Sequence, residues 1–74
     1  MNNTTQTLIN FSLERGMTVS HPEPDLIHFE GHGDGAMTCY DLDLSNGTVT
    51  YESDWDGYTS EWFESIAAFL AWMN

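Results

Sequence analysis

Basic side chains are almost absent from this chain of 74 residues, which has no lysine and one arginine, Arg15. The twelve aspartate and glutamate residues therefore have few partners of opposite charge, and the formal net charge is −11. An average soluble domain has about a quarter of its residues charged, with both signs represented. The shortage of bases argues against direct binding of DNA or RNA, because that binding needs a basic patch.

Cysteine and long apolar runs are scarce as well. Cys39 is the single cysteine, so no intrachain disulfide can form, and a lone thiol is typical of a reducing compartment. No apolar run reaches the roughly 18 residues of a membrane-spanning helix, and the N-terminal segment lacks the basic and apolar regions of a signal peptide. We therefore expect a cytoplasmic protein that does not enter a membrane.

Hydrophobic and aromatic residues, in contrast, are plentiful at 41% and 14% of the chain, which argues against disorder. Seventy-four residues correspond to one domain at most, and the sequence has neither an internal repeat nor a linker. We therefore predict a single small α+β domain over residues 1–74.

Two helices are predicted at the ends of the chain. Residues 4–15 end at a stop signal formed by Arg15 and Gly16, although the alternation of apolar residues in this segment also fits a strand. Residues 60–73 carry an apolar stripe within an arc of about 120°, and this stripe is expected to cover one face of a sheet. The stripe consists of Trp62, Phe63, Ile66, Phe69, Leu70 and Met73.

Three antiparallel strands are predicted between the helices, over residues 26–32, 36–44 and 48–53, with a short extra strand over 17–21 as an option. Asp34-Gly35 and Asn46-Gly47 separate the three strands, and both dipeptides are strong signals for two-residue hairpin turns.

The two turns together predict a strand register. Two-residue turns at both places pair apolar residues throughout, namely Phe29 with Tyr40, Ile27 with Leu42, Leu42 with Tyr51 and Leu44 with Val49. A slip of one residue would put charges into the core. The predicted core consists of Phe29, Tyr40, Leu42, Leu44, Val49, Tyr51, Ile66 and Leu70.

The other face of the predicted sheet is acidic. In this register Asp41 lies directly opposite Glu52, and like charges in that position are destabilising. A partner of opposite charge would offset the repulsion, whereas a solvated acidic face without a partner is the alternative interpretation. The predicted partner-binding residues are Glu30, Asp41, Asp43, Glu52, Asp54, Asp56, Glu61 and Glu64, with Trp55 and Tyr58 as an aromatic rim.

Signals for catalysis or metal binding are incomplete. His28 and Asp41 have the composition of an acid–base pair, but no nucleophile or oxyanion donor accompanies them. His28, His32 and Cys39 are ligand types that a transition metal uses, and a histidine paired with Asp41 is the alternative. We predict a binding protein and not an enzyme, with no catalytic residue, no metal and no cofactor.

The size, the acidity, the missing bases and the helix–three-strand–helix order resemble the small anti-CRISPR proteins that phages encode, and other phage inhibitors that imitate nucleic acid. The resemblance extends over the whole chain in topology and composition and includes no residue-level motif. It implies a protein of the host cytoplasm that occupies the nucleic-acid channel of a CRISPR effector or another defence nuclease. Carboxylates spaced along a strand would then take the place of phosphates.

Three other interpretations fit the same composition. An immunity protein or antitoxin would neutralise a basic nuclease toxin by charge. A structural or regulatory subunit would use its aromatic residues as an oligomer interface, with a homodimer as the simplest form. Adaptation to high salt would also produce an acidic surface that is poor in lysine.

Overall fold

Two helices and five strands follow one another along the chain in a computed structural model, which describes residues 3–33 and 35–73. The elements are α1 (Asn3–Glu14), β1 (Thr18–Glu23), β2 (Leu26–Gly33), β3 (Ala36–Asp43), β4 (Thr48–Ser53), β5 (Thr59–Phe63) and α2 (Ile66–Met73). The strands pair in chain order as one antiparallel sheet, β1-β2-β3-β4-β5.

The described residues form a small globule with a Cα radius of gyration of 11.7 Å. Neither of the two helices in this part of the chain has the length and the apolar character that spanning a membrane requires.

The N-terminal helix confirms the prediction to within one residue at each end. Its C-terminus is closed by hydrogen bonds from Arg15 N to Ser12 O at 3.1 Å and from Gly16 N to Leu13 O at 3.0 Å. Gly16 has a φ of +74°, the left-handed conformation that glycine supplies at helix ends.

The predicted number of three strands is wrong, because the sheet has five. The optional strand over 17–21 is present as β1, which continues to Glu23 and includes Pro22. Its pairing with β2 is irregular between Ser20 and Glu23. Pro22 is tolerated in this edge strand because it lies where the hydrogen bonds to β2 are already interrupted, so its missing N–H removes little pairing.

The predicted helix over 60–73 is wrong in its first half, which forms β5 instead. The helix α2 begins only at Ile66, where Ser65 Oγ accepts a hydrogen bond from Ala68 N at 3.0 Å. Trp62 therefore lies on the sheet face away from the helices, with 63% of its surface exposed, and not in the core. As a strand, this segment pairs with β4 at all five positions, and Phe63 packs against Phe69 and Trp72.

The predicted register is correct between β2 and β3, where Phe29 lies opposite Tyr40 and Ile27 opposite Leu42. Gly33 pairs with Ala36, which fits the predicted two-residue turn, although Asp34 itself lies outside the described residues. Between β3 and β4 the prediction is wrong by two residues. The observed pairs are Leu42 with Val49 and Tyr40 with Tyr51.

The loop between β3 and β4 explains this shift. It has four residues, because Gly47 N donates to Asp43 O at 2.7 Å and Gly47 adopts a φ of +76°. Asp43 Oδ1 also accepts hydrogen bonds from Ser45 N at 2.9 Å and Ser45 Oγ at 2.6 Å. A shift of two leaves the same side chains on each face, but Leu44 leaves the strand and is 39% exposed.

Both helices pack on one face of the sheet, where the core lies. Tyr40 is central, with its ring centroid 4.9 Å from Phe29 and 4.6 Å from Phe69. Its hydroxyl is hydrogen-bonded to Ser12 Oγ of α1 at 2.5 Å. Of the predicted core, Tyr51 and Leu70 lie at the margin and Leu44 lies outside. The buried apolar residues are Leu8, Ile27, Phe29, Tyr40, Leu42, Val49, Ile66 and Phe69.

Candidate functional site

The helices leave the second face of the sheet uncovered among the described residues, and this surface is called the open face below. Because side chains alternate along a strand, the register determines which residues it carries. They are Thr18, Ser20, Leu26, His28, Glu30, His32, Met37, Cys39, Asp41, Asp43, Thr48, Thr50, Glu52, Ser60 and Trp62. Four of the predicted partner-binding acids are thus together on one surface, namely Glu30, Asp41, Asp43 and Glu52.

The predicted direct opposition of Asp41 and Glu52 is wrong. Asp41 lies opposite His28 on β2 and opposite Thr50 on β4, whereas Glu52 lies opposite Cys39. The two acids are diagonal neighbours, which are roughly 7–8 Å apart in an antiparallel pair. Their mutual repulsion is therefore weaker than in the predicted register, because the four-residue loop moves β4 along β3.

Three of the predicted partner-binding residues, Asp54, Trp55 and Tyr58, lie in the loop that follows β4. Asp54 extends the pairing with β3, since its Oδ1 accepts from Met37 N at 2.6 Å and its own N donates to Met37 O at 3.1 Å. Trp55 and Tyr58 are 56% and 71% exposed. Tyr58 Oη donates to Glu52 Oε2 at 3.1 Å, which links the loop to the open face.

The remaining predicted acids do not join the open face. Asp56 is an exposed loop residue with a φ of +53°. Glu61 lies in β5 opposite Tyr51, so its side chain is on the helix side of the sheet, at the edge. Glu64 is exposed between β5 and α2. The predicted partner-binding residues therefore do not all lie on one surface. Glu61 and Glu64 were expected on a helix, but Glu61 lies in β5 and Glu64 follows that strand.

The sequence prediction missed an acidic group at one end of the open face. Glu23 and Asp25 meet Asp43 around a cleft of about 300 Å³. The hairpin between β1 and β2 brings them there, and Leu44 N donates to Asp25 O at 2.8 Å. A signal for this arrangement is present in the sequence. If residues 17–21 form a strand, the proline-containing turn that follows them indicates a hairpin with the next strand.

Four titratable side chains form a chain of hydrogen bonds across the open face. His28 Nδ1 lies 2.6 Å from Asp41 Oδ1, and His28 Nε2 lies 3.2 Å from Glu30 Oε1. Glu30 Oε2 lies 2.8 Å from His32 Nε2. A protonated His28 donates from both nitrogens, so the two carboxylates favour its charged form.

These contacts change the acidity of the groups involved. The hydrogen bond to Asp41, followed by the one to Glu30, raises the pKa of His28, although partial burial lowers it. Hydrogen bonds from His32 and then His28 lower the pKa of Glu30. Burial, followed by the neighbouring carboxylates, raises the pKa of the Cys39 thiol, which therefore stays protonated and is a poor nucleophile and metal ligand.

In the part of the chain that the structure describes, no group of three or more His, Cys, Asp or Glu side chains is arranged to hold a metal ion.

Comparisons with protein-family models, curated proteins and solved structures find no match. The chemistry available on the open face is that of carboxylates, two histidines and exposed aromatic rings.

The network predicts that the protein is most stable in mildly acidic solution. The folded-state pKa of His28 is raised, so its stabilising effect is complete below the unfolded value of about 6.5 and is lost as the pH rises through the folded value. The pKa of Glu30 is lowered, so its stabilising effect is complete above the unfolded value of about 4.5 and is lost as the pH falls through the lower folded value. We expect the melting temperature, followed by circular dichroism, to decline on both sides of this interval.

The variant His28→Asn is the control for the alkaline decline. Asparagine keeps a hydrogen-bond donor near Asp41 Oδ1 but does not titrate. The variant should therefore lose less stability than the parent protein as the pH rises above about 6.5, which is the pKa of histidine in the unfolded chain. An alkaline decline of the same size in both proteins would show that other groups cause it.

Proposed function

We propose that this protein binds the nucleic-acid-binding surface of a basic partner protein and inhibits it by taking the place of the nucleic acid. The partner class is a CRISPR effector or another defence nuclease, and a phage-encoded inhibitor would act in the host cytoplasm. The observation that carries the proposal is the set of four carboxylates on an uncovered sheet face in a chain with a single arginine.

The spacing of charge supports this proposal. A nucleic-acid strand in a duplex carries one charge per roughly 3.4 Å of axis, and the whole duplex one per 1.7 Å. Asp41 and Asp43 on one strand face are separated by about 6.7 Å, which is twice the rise per nucleotide.

The described residues provide no lysine or arginine partner for these carboxylates, although His28 and His32 contact Asp41 and Glu30. Arg15 stacks on the ring of Phe11, with its Cζ 3.6 Å from the ring centroid, and donates to Phe11 O. The ion pairs within 4 Å in the described ranges all involve histidine and not arginine. Lysine and arginine side chains of a partner would supply the missing cations and would accelerate encounter by electrostatic steering.

The test is capture of a partner protein from a lysate of host cells, followed by competition between this protein and nucleic acid for the captured partner. We expect retention of a nucleic-acid-binding protein at about 50 mM salt and its release at about 500 mM, because screening weakens exposed charge pairs. The isolated partner should then lose bound DNA or RNA, measured by fluorescence anisotropy, as this protein is added.

The identity of the captured protein separates the alternatives. A toxin nuclease whose active site is blocked would favour the immunity-protein interpretation. A partner that does not bind nucleic acid, or whose retention is unaffected by salt, would contradict the proposal.

A further inference from the structure

The sheet ends in two edge strands, and they differ in their capacity to accept another strand. The edge strand β1 contains Pro22 and an interrupted pairing between Ser20 and Glu23. Both features hinder pairing at an edge. The opposite edge strand, β5, contains no proline or lysine and pairs with β4 without interruption over its five residues. Its outer backbone groups are therefore the ones suited to a further strand.

Two exposed tryptophans border this edge, one on each side of the sheet. Trp62 belongs to β5 and projects on the open face with 63% exposure. Trp72 of α2 is 46% exposed, and its ring centroid lies 5.1 Å from that of Phe63 and 5.0 Å from that of Tyr51. Tryptophan is among the residues that most often anchor protein interfaces.

The charge at the edge is negative. Glu61 lies in the middle of β5, on the same side as Trp72, and Glu64 follows the strand. The sequence contains no lysine or arginine after Arg15. A guanidinium group can pair with Glu61 and can also stack on a tryptophan face, so arginine suits this edge better than any other residue.

A second copy of this chain is a poor occupant. Symmetric antiparallel pairing centred on β5 would place Glu61 directly opposite the same residue of the copy, and like charges in that position are destabilising. Each copy would also bring a net charge of −11.

We propose that the outer edge of β5 binds an extended basic segment of a protein partner as a sixth, antiparallel strand. An arginine opposite Glu61 pairs with that carboxylate on the side of Trp72, and the arginine that precedes it in the partner segment lies opposite Trp62 and stacks on its ring on the open face. Main-chain hydrogen bonds provide affinity in this mode, and alternate side chains provide specificity. The proposal does not depend on the proposed inhibition of a nucleic-acid-binding protein.

The test uses three capped hexapeptides and the full-length, isotope-labelled protein. The first peptide is Thr-Val-Arg-Arg-Val-Thr. The second replaces both arginines with glutamate, and the third replaces both valines with proline, which keeps the charge but prevents pairing. We expect the first peptide to shift the amide resonances of β5 and the Trp62 indole, and to raise amide protection in β5 about tenfold. We expect the other two to bind at least about tenfold more weakly.

Two charge-matched variants locate the site on the protein. Glu61→Lys is expected to weaken binding of the arginine peptide at least about tenfold, whereas Glu14→Lys, which makes the same charge change at the end of α1, should weaken it about twofold at most. Both positions are exposed, and the amide spectrum verifies that each variant is folded.

Several results would overturn the proposal. These are resonance shifts confined to the open face or to β1, equal binding of the proline peptide, and a free protein that is already dimeric through β5. Asp41→Asn on the open face is expected to leave peptide binding within about twofold of the parent. Failure at β5 is thereby distinguishable from failure of the open-face proposal.

Discussion

Replacement of Phe69 by alanine is expected to remove most of the stability of this domain. The Phe69 side chain is fully buried, with ring centroids 4.6 Å from Tyr40 and 5.3 Å from Phe63. Truncation of a buried phenylalanine costs about 3–5 kcal/mol, because it removes apolar contacts and leaves a cavity. A domain of this length has a total free energy of unfolding of roughly 4–11 kcal/mol. Urea denaturation followed by circular dichroism measures the loss.

Trp62→Ala is the matched control, because both residues belong to the apolar stripe predicted from the sequence. In a helix over 60–73 the two truncations would have similar effects. Because Trp62 lies in β5 and is 63% exposed, its truncation is expected to change the free energy of unfolding by about 0.5 kcal/mol or less. Comparable losses in the two variants would contradict the strand assignment of residues 59–63.

Neutralisation of the open face is expected to weaken partner binding strongly while the fold is retained. The triple variant Asp41→Asn, Asp43→Asn, Glu52→Gln keeps the acceptor oxygens that bond His28 and Ser45. Each exposed ion pair contributes up to about 1 kcal/mol, so losing three should weaken binding about a hundredfold. The melting temperature is expected to stay within about 4 °C of the parent, because reduced repulsion offsets the lost charge-assisted contacts.

A second triple variant carries the same charge change away from the open face. Glu14→Gln, Asp56→Asn and Glu64→Gln replace three exposed acids and give the same formal net charge. We expect this variant to retain most of the affinity for the captured partner, measured by calorimetry in the same buffer. Equal losses in the two triple variants would mean that overall charge, and not the open face, determines binding.

Much of the fold was predictable where short-range signals agree with one another. The Arg15-Gly16 stop ends α1 as expected, and the turn at Gly35 is consistent with the pairing of Phe29 with Tyr40. In these places the hydrogen bonds that define the element lie within a few residues, so the local sequence determines them.

The C-terminal half shows where local pattern is insufficient. Phe63, Ile66 and Phe69 are apolar at spacings that fit a helix throughout, yet the first of them lies in a strand. The deciding interactions are the backbone hydrogen bonds to β4 and the cap at Ser65, and the first of these exists only after the sheet has formed. Aromatic residues such as Trp62 are also common in strands, so both structures were compatible with the composition.

The acidity, the near absence of lysine and arginine and the face on which Glu30, Asp41, Asp43 and Glu52 lie follow from the sequence alone. The face was predictable even though the register was not, because a shift of two residues along a strand preserves the alternation of side chains. Only the tertiary structure decided which acids are neighbours and which edge is open. Those features depend on the loop closed by Gly47 and on the pairing of β5 with β4. The sequence pattern within a strand does not specify which distant strand it pairs with or in which register.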